Sequence, residues 1–132
     1  MTRTVATAEE FLTSPILERQ KIDVPVPELG EGKVIPIWGM TPRERTAFED
    51  KQARLSKAQR SKHKGEIRER ILVECCRNDD GTQFFTLDQI AVLGQRRGDV
   101  VERLVNVALE SSGFTGQDLE ALTKNSEEAS EG

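Results

Sequence analysis

Two adjacent cysteines, a lone histidine, an acidic glycine-containing turn and a run of six cations are the residues whose types and spacing bear on chemistry in this chain. Cys75 and Cys76 are neighbours in ILVECCRNDDG. Zinc and redox sites separate their thiols as C-x-x-C so that both sulfurs reach one centre, and adjacent residues rarely close a disulfide. The pair is therefore expected to be reduced and buried in the core. His63 is the sole histidine and stands among lysines, so it has no second member for a catalytic dyad or a metal cluster. It is expected to face solvent. The turn Asn78-Asp79-Asp80-Gly81 invites a calcium reading. With Gly81 at the sixth loop position, the first falls on Cys76 and the twelfth on Leu87, where a calcium loop needs carboxylates. No phosphate-cradling loop, nucleophile elbow or dinucleotide-binding glycine pattern occurs. The inventory supplies no catalytic group, no cofactor site and no metal site, and the chain is expected not to be an enzyme.

The cations are the remaining candidate. Lys51, Arg54, Lys57, Arg60, Lys62 and Lys64 fall in one stretch without an acid. Such a run is a solvated helix face, a docking face for an acidic protein segment, or a nonspecific holder of nucleic-acid phosphates; no aromatic residue interleaves it. From Gln117 onward Asp118, Glu120, Glu127, Glu128 and Glu131 face only Lys124. A basic middle and an acidic end attract one another only at close approach, because salt screens such charges over about 8 Å.

The elements that must position these residues follow from capping and periodicity. The chain has 132 residues, 36% of them hydrophobic and 32% charged, with a net charge of −4. That is one domain's length with a modest core. Thr7 with Glu10 makes a capping box, and Ser14-Pro15 restarts a helix at Ile16. Residues 22–38 alternate as a β-hairpin around Gly30-Glu31-Gly32, with Ile22, Val24 and Val26 going in and Val34, Ile35, Ile37 and Trp38 coming out. Pro25, Pro27 and Pro36 lack donors and confine both strands to edges. A lone hairpin is marginal in water, so it must pack on helices or on another copy.

Thr41-Pro42-Arg43-Glu44 is a strong helix start, and that helix is expected to run toward Arg60 with Leu55 as the one large apolar residue of its later part. Gly65 then breaks it. Ile67, Ile71, Leu72, Cys75 and Cys76 mark a buried helical face. After the acidic turn, Phe84 and Phe85 anchor the chain, and Thr86 with Gln89 starts a helix that carries Ile90 and Leu93 to Gly94. Asp99 with Glu102 starts the next, whose stripe of Val100, Val101, Leu104, Val105, Ala108 and Leu109 is the strongest in the chain. Gly113 ends it, and Thr115 with Asp118 caps a short helix carrying Leu119 and Leu122. The core is expected to comprise Ile67, Ile71, Leu72, Phe85, Leu93, Val101, Leu104 and Val105.

In their order, these features resemble the tail assembly chaperones of long-tailed, siphovirus-like bacteriophages. The likeness runs from Val24 to Asn125. It comprises the extended, glycine-turned VPVPELGEGKVIPIWGM and the helix start TPRERTAFED with Thr41, Glu44, Arg45 and Phe48. A helix ending near a cysteine follows, then the acidic glycine turn, the Phe-Thr-x-Asp of Phe85, Thr86 and Asp88, and LEALTKN with Lys124 and Asn125. The hairpin prolines and the very basic helix depart from the pattern. The resemblance implies a non-enzymatic protein that binds and solubilises the aggregation-prone tape measure protein in the host cytoplasm and is absent from the mature virion. It also implies a frameshifted longer form that recruits tail tube protein.

The expected architecture is α+β and mainly α: a small helical domain with an N-terminal β-hairpin over residues 1–125, and a disordered acidic tail or linker over 126–132. Trp38, Ile35 and Ile37 on the hairpin, together with Lys51, Arg54, Lys57, Arg60, Lys62 and Lys64, are the candidate partner-binding residues, the hairpin serving tape measure binding or self-association. No apolar stretch approaches the ~18 residues of a membrane span, and no signal peptide is recognisable, so a cytoplasmic protein without a membrane partner is expected. The competing reading is a cytoplasmic adaptor or regulator that binds nucleic acid through residues 51–64.

Overall fold

Threonine caps set where several of the helical segments begin. In the computed structural model, which describes residues 3–54 and 66–122, Glu10 donates its N–H to the Thr7 hydroxyl at 3.1 Å and Glu10 accepts from the Thr7 N–H at 3.1 Å. That box opens α1 (Ala8–Thr13), and a 3-10 turn follows at Pro15–Leu17, where the proline restarts the chain. The same reciprocal pair at Thr41 and Glu44 opens α2 (Pro42–Ala53). Thr115 and Asp118 repeat it at 2.8 and 3.1 Å before the helical residues 116–122. The expected features at Leu55, Lys57, Arg60, Lys62, His63, Lys64, Gly65, Lys124, Asn125 and the acidic tail lie outside the described residues.

The hairpin pairs β1 (Lys21–Pro25) with β2 (Val34–Trp38) antiparallel, Val24 opposite Ile35 and Asp23 opposite Pro36. Its prolines fit because of where they stand in the ladder. Val26 N–H donates to the Lys33 carbonyl at 2.9 Å and Gly39 N–H to the Gln20 carbonyl at 2.9 Å. Counting by two between these bonds makes 22/37 and 24/35 the hydrogen-bonded pairs. Pro25 and Pro36 then occupy the alternate positions, whose nitrogens point away from the partner strand and would donate nothing to it. On the outer edge of β2 the Pro36 carbonyl accepts from Arg77 N–H at 3.2 Å, and Ile37 bridges Cys76. The connection between the strands is a 3-10 turn at Pro27–Leu29 followed by Gly30 and Gly32, at φ 137° and 78°.

Among the described residues the chain continues with α3 (Ile67–Cys75), the short α4 (Ile90–Leu93) and α5 (Gly98–Ser111), ahead of the helical residues 116–122. The fold class is thus α+β and mainly helical, with the hairpin at the N-terminal side. Two helix starts differ from expectation. Thr86 and Gln89 open a 3-10 turn at Leu87–Gln89 that passes into α4. Asp99 lies inside the first turn of α5 and does not cap it, because Arg97 takes its carboxylate at 2.7 and 2.8 Å. The end of α5 is a Schellman motif: Phe114 N–H reaches the Leu109 carbonyl at 2.9 Å, Gly113 N–H reaches Glu110 at 3.2 Å, and Gly113 takes φ 76°. Only glycine enters that left-handed region without cost.

One core unites the elements. α3 contributes Ile67, Ile71, Leu72 and Cys75; α5 contributes Leu104, Val105, Ala108 and Leu109; the hairpin adds Val24, Val26, Ile35 and Ile37. Met40, Phe48, Leu93 and Phe114 close its ends, and Leu119 and Leu122 pack against it. Of the expected core, Phe85 and Val101 are only half-buried at its edge. Between hairpin and α5 the backbones nearly touch: a Cβ built on Gly39 would lie 2.1 Å from the Ser111 carbonyl oxygen. Next to it, Met40 N–H donates to the buried Ser112 hydroxyl at 2.9 Å, and that oxygen lies 3.7 Å from Cys75 Sγ.

This joint makes Gly39→Ala costly despite its single added methyl. Backbone cannot rotate aside as a side chain can, so a loss of at least about 1–3 kcal/mol, the range for overpacking, is expected in denaturant unfolding. A stability equal to wild type would show that the two segments part freely. Leu104→Ala should cost about 2–5 kcal/mol in the same experiment, since Leu104 is buried where α5 meets the hairpin. A loss under about half a kcal/mol, the scale of a surface change, would contradict that packing.

Candidate functional site

Burial disposes of the cysteines as nucleophiles. Cys75 and Cys76 are free and fully buried. Burial pushes the Cys75 thiol up to about 11, against a smaller opposing effect of the Ser112 hydroxyl. Burial raises Cys76 as well, with the neighbouring Cys75 adding to it. Both are protonated near neutrality and lack thiolate character. In the acidic turn the polar groups are spent on the turn itself. Asp80 accepts from the Thr82 N–H at 3.0 Å and its hydroxyl at 2.6 Å, and these bonds hold the Asp80 carboxyl below its usual range. Asn78 donates to Thr82 at 3.0 Å, and Asp79 pairs with Lys21 at 2.7 Å. Among the described residues no group of three or more His, Cys, Asp or Glu side chains is arranged to hold a metal.

The expected partner-binding residues separate. Ile37 is wholly buried, because it shares with Val24 and Ile35 the hairpin face covered by the helices, and it is a core residue unavailable to a partner. Ile35 is buried too but forms part of a cavity floor described below. Trp38 is half-buried at the end of β2, with the Arg19 guanidinium 6.0 Å and the Lys21 ammonium 5.8 Å from its ring. Both cations stand within cation–π range, so the exposed part of the indole is shielded by charge. Lys51 bonds Glu74 at 3.3 Å, and Arg54 is exposed at the end of α2. Lys57, Arg60, Lys62 and Lys64 lie outside the described residues.

A concave apolar surface lies elsewhere among the described residues. The 3-10 turn of the hairpin, the Phe84-Phe85 pair, α4 and the first half of α5 enclose a cavity of about 320 Å³. Val26, Ile35 and Leu104 form its floor, and Leu29, Phe84, Phe85, Val100 and Val101 its sides. Phe84, Phe85, Leu93 and Arg96 are shared with a neighbouring depression of about 430 Å³ that continues over Gln89 and Val92, so the two make one groove. The aromatic pair stands edge to face with centroids 4.8 Å apart, fixing both rings in the wall. Its lip carries exposed apolar side chains: Leu29 is 66% exposed, Val92 61% and Phe84 36%.

Charge rims the groove asymmetrically. Arg103 holds Glu28 through two bonds, 2.9 and 2.7 Å, and donates to the Pro25 carbonyl at 3.2 Å. Hydrogen bonding from Arg103 draws the Glu28 carboxyl down to about 2. This clamp fastens the hairpin turn to α5 and fixes one wall. Arg97 is occupied by Asp99, whereas Arg96 has no acidic partner among the described residues. The groove combines an apolar lining with a rim on which Arg96 is the charge left without an acidic partner among the described residues.

Sequence reasoning singled out Phe84 and Phe85 as anchors but missed the groove. Leu29, Val92, Arg96 and Val100 belong to four different elements, and no local period announces that they converge. The exposed Leu29 in the proline-glycine turn and Val92 outside the apolar face of α4 were the available signals. Comparison of the chain with protein families, curated proteins and solved structures finds no match. Among the described residues no helix is long and apolar enough to cross a membrane.

The Glu28–Arg103 clamp carries a pH signature. Glu28 has a folded pKa of about 2 against an ordinary 4.5, so its contribution to stability is present above 4.5 and is lost as pH falls through 2. Glu28→Gln should lower Tm at pH 7 in low salt, with the gap to wild type closing between these two values. Solvent screening keeps the gap small. A gap that persists unchanged at pH 2 would show that the ion pair is not its source.

Proposed function

We propose that this chain is a tail assembly chaperone of a long-tailed bacteriophage, a non-enzymatic protein whose apolar groove shelters an amphipathic helical segment of the tape measure protein. The single observation that carries this reading is the groove between the hairpin turn, Phe84-Phe85, α4 and α5, with its exposed apolar lip. A soluble domain that leaves such a surface uncovered has a use for it, and an amphipathic helix laid into an apolar groove is a recurring mode of recognition. The order of the hairpin, the Thr41 helix, the acidic turn and the Phe85-Thr86-x-Asp88 segment adds the family likeness. On this reading the protein works in the host cytoplasm and leaves before the virion is complete, and its polar C-terminal end serves in a longer, frameshifted form as the linker to a second domain that recruits tail tube protein.

The nucleic-acid reading gains no comparable support. Of the six cations in the basic run, Lys51 and Arg54 are described, and Lys51 is engaged by Glu74.

The test co-expresses the tape measure protein with wild type, with Val92→Glu plus Leu29→Glu, and with Gln at Lys51, Arg54, Lys57, Arg60, Lys62 and Lys64. Both groove positions are exposed, so the charges do not enter the core. Wild type and the Gln variant should keep the client soluble with a shallow salt dependence, and the groove variant should lose at least about tenfold in affinity, the scale of 1.4 kcal/mol. Tight duplex binding with a log–log salt slope near about −5, as for roughly six phosphates, lost in the Gln variant and without any client solubilisation, would replace this function with the nucleic-acid one.

A further inference from the structure

The groove has two basins with a divide between them. One basin has the buried Val26, Ile35 and Leu104 at its floor, and the other runs over Gln89 and Val92 beside α4. Phe84, Phe85, Leu93 and Arg96 line both, so they form the divide. The edge-to-face contact of the two rings stiffens it. Arg96 is fixed there by its backbone, whose N–H donates to the Leu93 carbonyl at 3.2 Å, while its side chain is exposed.

The other polar groups around the basins are already committed. Glu28 is held by Arg103 at 2.9 and 2.7 Å, and Asp99 by Arg97 at 2.7 and 2.8 Å. Glu102, further along α5, pairs with Arg68 at 3.2 Å. Gln89 gives its N–H to the Thr86 carbonyl at 3.0 Å and its side-chain oxygen to the Thr86 N–H at 3.0 Å. Among the described lining residues this leaves the Arg96 guanidinium as the charge free to meet a ligand, midway between two apolar basins.

That arrangement matches one kind of segment. On a helix, residues three, four and seven apart share a face, so two large apolar side chains can enter the two basins while the polar back stays in water. An extended segment gains affinity by bonding its main chain to a sheet edge, and the walls here are a 3-10 turn, two rings and helix faces. We propose that the groove selects acidic amphipathic helices: one apolar anchor enters each basin, and a Glu or Asp at the edge of the apolar stripe, between the anchors, pairs with Arg96. Arg96 is then the specificity-determining residue, and a helix with a base at that place is disfavoured by like charge. This rests on the groove being a protein-binding site, as in the proposed function, and adds which segments of a client it takes.

Fluorescence anisotropy with the full chain tests it. The probes are labelled alanine-based helical peptides of about 16 residues, a length at which such helices begin to hold in water. Each carries leucine at i, i+4 and i+7, with Glu, Gln or Lys at i+3, on the edge of the stripe. Wild type should bind the Glu peptide about two- to fivefold more tightly than the Gln and Lys peptides, the range of an exposed ion pair, and the advantage should shrink as salt is raised. Arg96→Glu, an exposed change, should make the Lys peptide the tightest and leave the Gln peptide within about twofold, a difference inside the range of a surface substitution. Equal affinities for the three peptides in wild type, or a preference for Glu that survives Arg96→Glu, would overturn the charge selection. If Val92→Glu plus Leu29→Glu still abolished binding in that case, the groove would stand as a protein-binding site without it. No binding of any peptide, or binding that the groove variant retains, would overturn both.

Discussion

The structure depends on one close approach, that of Gly39 to the last turn of α5. The chain leaves the hairpin with its backbone against the Ser111 carbonyl, and the next residue donates its N–H to the buried Ser112 hydroxyl. Those two contacts set the height of the hairpin along α5. Once that height is set, the hairpin turn meets the opposite half of the helix, Arg103 reaches Glu28 and Pro25, and Val26 and Ile35 come to lie over Leu104. A larger residue at 39 would lift the hairpin away from the helix and disturb the groove about a hairpin's length distant.

Charge then secures what packing has positioned. Glu44, fixed by the Thr41 cap, draws in Arg19 from the segment ahead of β1 and Arg77 from the end of α3. Burial opposes the charge on Glu44, yet the Thr41 bonds and Arg19 outweigh it and hold the carboxyl below its ordinary value. Arg45, one residue on, donates to the Gly113 carbonyl at 3.1 Å, pairs with Asp118 at 3.2 Å and lies 4.0 Å from the Phe114 ring centroid. Exposed pairs of this kind are each worth at most about 1 kcal/mol. Their role is orientation: α2, whose one buried residue is Phe48, is held to the ends of α3 and α5 largely by its first turn.

The groove follows from the shortness of the elements around it. α4 has only four residues and ends at Gly94, and the chain makes a non-helical turn before α5 begins at Gly98. Too short to cover the N-terminal half of α5, α4 leaves Val100 and Val101 half-buried beside Phe85. The apolar stripe of α5 is thus longer than the surface available to bury it. The excess becomes a concave wall, and the arginines of the intervening turn become its rim. A longer α4 would close the core and remove the site.

Local structure is legible along the chain: the threonine capping pairs at Thr7, Thr41, Thr86 and Thr115, the hairpin boundaries, the positive-φ glycines of the turns and the buried stripes of α3 and α5. Each of these is decided by residues within about four positions of one another, through hydrogen bonds and side-chain period, and so can be read along the chain. The tertiary structure alone decided which apolar residues stay open. Ile37 looked like a surface candidate and is core because its strand face meets α3 and α5. Phe85 and Val101 looked like core and form the groove, because the four-residue α4 does not reach over them. Gly39 carried no signal in the sequence, since its requirement is set by a carbonyl 72 residues away, and separation of that kind leaves no local pattern.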